Sequence, residues 1–99
     1  MKLQQGDVIL KNADIPKDAK AAGHLTLASG EATGHHHTMT EGDCELYEKD
    51  DILYLRVGEA GGTLTHQEHD AVAVPPGDYV VRKVREWDAF DQEARNVQD

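Results

Sequence analysis

The sequence predicts an all-β fold, a single small barrel or sandwich. Turn signals recur roughly every eight to twelve residues, the cadence of short antiparallel strands. Valines, leucines and isoleucines sit in short patterned runs, which separates the chain from an acidic disordered segment. The 99 residues contain no linker, repeat or low-complexity stretch, so residues 1–99 read as one β domain.

In chain order, Gly6-Asp7 turns into a short buried strand, Val8-Ile9-Leu10. The Ile15-Pro16 break follows, then a polar stretch from Lys17 to Gly23 that can hold one helical turn. From His24 to Ala28, Leu25 and Leu27 alternate with His24 and Thr26, the period of a half-buried strand. Ser29-Gly30 turns the chain into a polar segment, Glu31 to Thr40, that carries three consecutive histidines.

The clearest hairpin joins Cys44–Glu48 to Ile52–Val57 through Lys49-Asp50-Asp51. Unbroken apolarity in its second arm suits a central strand. Gly58 to Gly62 reads as a flexible loop, and Thr63-Leu64-Thr65 returns to the sheet. Ala71–Val74 is a further strand, Pro75-Pro76-Gly77-Asp78 a turn, and Tyr79 to Trp87 a long last strand. Its face pattern switches partway, which predicts a bulge or barrel corner near Arg82-Lys83.

Composition limits the function classes. Hydrophobic residues make up 38% of the chain, against about 45–50% in an average domain, so one modest core is available and self-association would help to bury it. Ten Lys and Arg against nineteen Asp and Glu give a net charge of −9, a field that repels phosphate backbones and anionic membranes and suits metal ions or cationic partners. No apolar run approaches the roughly 18 residues of a transmembrane span, and the first residues lack a secretory core, so a cytoplasmic location is expected. A single cysteine, Cys44, allows no internal disulfide. Its acidic neighbours keep the thiol protonated, which favours a semi-buried structural role.

The strongest functional signal is the clustering of histidines. Five of six fall in two groups, His35-His36-His37 and His66 with His69, while His24 reads as a strand-surface residue. Residues two apart on a strand point the same way, so His35 and His37 form a two-ligand half-site with His36 facing oppositely. A turn through Thr65-His66-Gln67-Glu68-His69 brings His66 and His69 together, with Glu68 as an added oxygen ligand or general base. Neutral imidazoles with a carboxylate suit a divalent transition metal, Zn, Fe, Mn, Cu or Ni. The alternative is a neutral, hydrogen-bonded histidine cluster without metal.

Two resemblances add to this reading. His35-x-His37-x-x-x-Glu41, introduced by Gly30 and Gly34, resembles the first metal motif of the cupins, and Pro75-Pro76-Gly77 is similar to the turn of their second motif. That resemblance implies a small barrel holding a metal through His35, His37 and Glu41. The position of the fourth cupin ligand, however, falls on Val80. More of the chain resembles a family of small bacterial and phage-type proteins without an assigned activity. Its landmarks are Gln5-Gly6-Asp7-Val8, Ser29-Gly30-Glu31 through His35-x-His37, Leu53-Tyr54-Leu55-Arg56-Val57, Leu64-Thr65-His66-x-Glu68-His69 and Pro75-Pro76-Gly77 through Trp87. This resemblance marks the histidines as parts of one recurring pattern and implies no reaction.

Two rival classes stand beside a metal-binding domain. One is a non-enzymatic assembly or regulatory module, or a homo-oligomer, that uses the acidic block from Glu41 to Asp51 and an exposed strand edge. The other is a binder of a small anionic ligand such as a nucleotide, gripped by Arg82 and Arg85 with Trp87 stacking on its base.

Overall fold

The computed structural model describes residues 2–29 and 34–84; Arg85 and Trp87, two of the three residues of the expected anion site, lie outside the described residues. Eight strands and no helix occur among them: β1 (Lys2–Gln5), β2 (Val8–Asn12), β3 (Lys20–Ala21), β4 (Thr26–Ser29), β5 (His36–Lys49), β6 (Ile52–Thr65), β7 (Val72–Val74) and β8 (Gly77–Lys83). Every pairing is antiparallel. The stretch expected to hold a helical turn closes instead with one bond from the Ala19 N–H to the Pro16 carbonyl, 3.0 Å, and then adds β3 to the sheet.

Two 14-residue strands organise the fold. β5 and β6 form one long hairpin, closed by Asp50 and Asp51, both with positive φ, the backbone a two-residue hairpin turn requires. Around the half nearest the turn the hydrogen-bonded order is β1-β2-β8-β6-β5-β3; the other half of the same hairpin pairs with β7 on one side and β4 on the other. Register shifts at Met39/Glu41 and Gly42/Cys44 separate the halves. Buried positions change parity across these irregularities, from His37 and Met39 to Leu46 in β5 and from Leu55 and Val57 to Leu64 in β6. Both halves therefore face a single core of Val8, Leu10, Leu27, Met39, Leu46, Leu55, Val57, Leu64, Val74 and Tyr79. The result is an open sheet folded on itself like a sandwich. Among the described residues its outer strands β1 and β3 do not pair with each other, so no closed barrel forms.

Two expectations are corrected here. Gly58 to Gly62 is not a loop; it lies within β6. A Cβ on Gly62 would meet the Cys44 Sγ at 2.6 Å and the Met39 Cε at 2.7 Å, so the glycine marks close approach of the two long strands. The bulge expected near Arg82-Lys83 is also absent, since β8 runs in unbroken register against β2 from Asn12↔Tyr79 to Val8↔Lys83. The kink sits in the glycine-rich hairpin instead.

Candidate metal centre

The turn between β1 and β2, the start of β5 and the β6–β7 connection meet at one end of the folded sheet, beside the last residues of β8. They enclose a pocket of about 210 Å³ lined by His35, His37, His66 and His69 with Asp7, Ser29, Ala28, Glu68 and Lys83. The ring of His66 lies at the middle of the cluster, with centroids 4.3 Å from His37, 4.6 Å from His69 and 5.4 Å from His35. His37 and His69 are 6.0 Å apart. Two imidazoles bound to one zinc at about 2.0–2.1 Å place their centroids roughly 5 Å apart, so these spacings suit shared ligation. Among the described residues, no three metal-ligating side chains yet converge on one point, so ligation requires side-chain rotation.

Hydrogen bonds fix which nitrogen His37 and His66 present. The Gln5 side chain is buried, 2% exposed, and its Nε2 donates to the carbonyls of Leu64 at 3.0 Å and Asp70 at 2.9 Å. With both amide protons committed, its Oε1 faces the His37 Nδ1 at 2.9 Å as an acceptor, which places the proton on Nδ1. His37, 5% exposed, thus turns its Nε2 toward the Asp7 Oδ1, 3.4 Å away. At His35 the Nδ1 lies 2.9 Å from the Glu68 Oε1, which brings a carboxylate beside the ring. His66 is the opposite case to His37. Its Nδ1 accepts the Glu68 backbone N–H at 3.0 Å, so the neutral ring carries its proton on Nε2.

The electrostatics favour the neutral form of two of the rings, His37 and His66. Burial, then the neighbouring His66, lowers the pKa of His37, while Asp7 pulls the other way. Burial, then His69 and His35, lowers that of His66. The Asp7 backbone carbonyl accepts the Val84 N–H at 2.8 Å, tying the β1–β2 turn to the end of β8 and setting the Lys83 Nζ 3.8 Å from the Asp7 Oδ2.

Sequence reasoning named the histidines but missed Gln5 and Asp7. The Gln5-Gly6-Asp7 turn precedes the first strand recognised in the sequence, and nothing in its residue types distinguishes it from an ordinary turn. The remaining candidates are dispersed. His36 is exposed on the other face, with its Nδ1 2.9 Å from the Ser29 Oγ and its N–H donated to the Gln67 Oε1 at 2.8 Å. Glu41, the expected cupin-type ligand, is exposed at the register shift in β5 and does not line the pocket. Glu68 does line it, with its Oε1 2.9 Å from the His35 Nδ1. Arg82 is exposed on β8 and faces a different cavity. Cys44 is half-buried, with its pKa raised by burial and then by Asp43.

A family model described as a domain of unknown function, DUF8820, matches residues 4–84. The chain belongs to the DUF8820 family. The matched span includes every pocket-lining histidine together with Gln5 and Asp7, so the pocket lies wholly within the DUF8820 domain. The cupin resemblance finds no counterpart in this match. No curated protein and no solved structure matches the chain.

Proposed function

We propose that this domain binds a divalent transition metal in the pocket between the β1–β2 turn and the β6–β7 connection. The observation that carries this reading is the pairing of His37 with Gln5 and Asp7. Once Gln5 accepts the Nδ1 proton, a neutral His37 directs an Nε2 lone pair at a carboxylate oxygen 3.4 Å away. Two acceptors in that position call for a cation between them, and burial opposes the proton of an imidazolium. Two ligands bound at about 2.0–2.1 Å in a tetrahedral site lie roughly 3.3–3.4 Å apart, which accommodates a metal between these same atoms.

His37 and Asp7 are the proposed first ligands, with His35 and His69 completing the set from the same pocket. Histidine ligands characteristically donate their other ring proton to a carbonyl or carboxylate, the role taken here by Gln5 for His37, while Glu68 stands 2.9 Å from the His35 Nδ1. A nitrogen-rich site with one carboxylate suits Zn, Fe, Mn, Cu or Ni.

The test is elemental analysis and zinc titration of untagged protein purified without nickel affinity. Uptake of one equivalent by the wild type, lost in the His35→Ala/His37→Ala double variant while the fold persists, is the expected result. Failure of all five metals to bind would overturn the reading.

A further inference from the structure

The histidine pocket does not stand alone. A second cavity of about 540 Å³ adjoins it, and the two share Ala28 and Lys83 in their linings. The larger cavity is of mixed character: Leu27 from β4, Ile52 and Leu53 from β6 and Val80 and Val81 from β8 supply its apolar wall, and Asp51, Arg82 and Lys83 its charged groups. Its size falls within the range of about 300–1,000 Å³ usual for a small-molecule site, and the apolar wall is the part that can take a hydrocarbon body.

Resting on the metal-binding reading, the geometry points to a monomeric amphipathic acid as the ligand of this pocket. Its acidic head sits between the metal and the Lys83 ammonium, and its apolar body lies in the adjoining cavity. The charges give the arrangement a condition. Lys83 alone does not offset Asp7 and Glu68, so the metal-free pocket repels an anion, whereas a divalent ion reverses the local sign. Acid binding is therefore coupled to metal loading.

The experiment has two stages. Zinc uptake is measured first, by calorimetry on the whole chain. Acetate, butyrate, hexanoate and octanoate are then titrated into the zinc-loaded protein and into chelator-treated protein, with octyl phosphate beside octanoate to rank the two head groups. The expected result is affinity rising about three- to fourfold per methylene until the cavity is filled, and only in the zinc-loaded protein. Lys83→Met should weaken both octyl acids by about tenfold or more, measured on variant protein saturated with zinc according to its own zinc titration. A flat chain-length series, or no acid binding, in protein that does hold zinc would overturn the ligand class and leave the metal site standing. Failure to take up zinc or any of Fe, Mn, Cu and Ni overturns both, and is read before any acid is added.

Discussion

Gln5 holds His37 in one tautomer: both protons of its amide are taken by the carbonyls of Leu64 and Asp70, and its oxygen accepts from the His37 Nδ1 at 2.9 Å. A single side chain thereby joins β1 to β5, to the last turn of β6 and to the β6–β7 connection. Replacing it by leucine leaves the Leu64 carbonyl and the His37 Nδ1 buried without a bond to residue 5, each costing about 1–3 kcal/mol when unpaired, and frees the part-buried Asp70 carbonyl as well. Gln5→Leu should therefore lose roughly 3 kcal/mol in urea denaturation, with relaxation recovering part of the sum. Zinc affinity should fall about 10–100-fold, the usual effect of removing an orienting partner. Unchanged zinc affinity in a folded variant would remove His37 from the ligand set.

Gly6 carries a positive φ of 57°, and a Cβ there would stand 2.6 Å from the His69 Nε2. Gly6→Ala should destabilise the protein by about 1–2 kcal/mol from backbone strain alone, plus the cost of displacing the imidazole. The second part is separable. In a double-mutant cycle with His69→Ala the clash component should disappear while the strain remains, and purely additive losses would show that His69 can swing away freely.

His66 occupies the centre of the cluster yet holds its proton on Nε2. His66→Ala should accordingly cost about tenfold or less in zinc affinity, the scale of a neighbouring group rather than of a ligand. His37→Ala should exceed that loss by a wide margin. Equal losses in isothermal titration would mean that the ring turns over on binding and ligates through the other nitrogen.

Metal-free protein should weaken on mild acidification. Burial and neighbouring imidazoles hold His37 and His66 below the ordinary histidine range, so the unfolded chain takes up protons that the folded chain resists. Stability is then unaffected by these groups well above about pH 6.5 and falls as the pH drops through that value toward the lowered folded pKa. Thermal melts between pH 7.5 and 5 in the presence of chelator should show a decline in Tm that is shallower in His66→Ala. Parallel declines in the two proteins would contradict the assignment.

The all-β class, the hairpin closed by Asp50 and Asp51 and the strands around Val8 and Tyr79 were legible because alternation and turn chemistry are local properties. The glycines from Gly58 to Gly62 misled for an equally physical reason. Small residues mark either a free loop or a place where two backbones come close, and only the partner strand distinguishes them. In the pocket, the histidines stood out by residue type and spacing. Gln5 and Asp7 did not, since a glutamine gains its role only when Leu64, Asp70 and His37 are brought around it by pairings that span much of the chain.

The pocket draws on the β1–β2 turn, the entrance to β5, the connection after β6 and the end of β8. The end of β4 adds a fifth segment through Ala28 and Ser29, and the pairing of β2 with β8 closes nearly the whole described length of the chain. Such distant contacts carry the largest loop-closure penalty and are slow to form. The geometry of the histidine pocket is consequently a property of the whole folded sheet and of no single segment of it. A metal held there draws its free energy from the native state alone, so it should slow global unfolding and protect amides throughout the sheet, well beyond the loops that touch it.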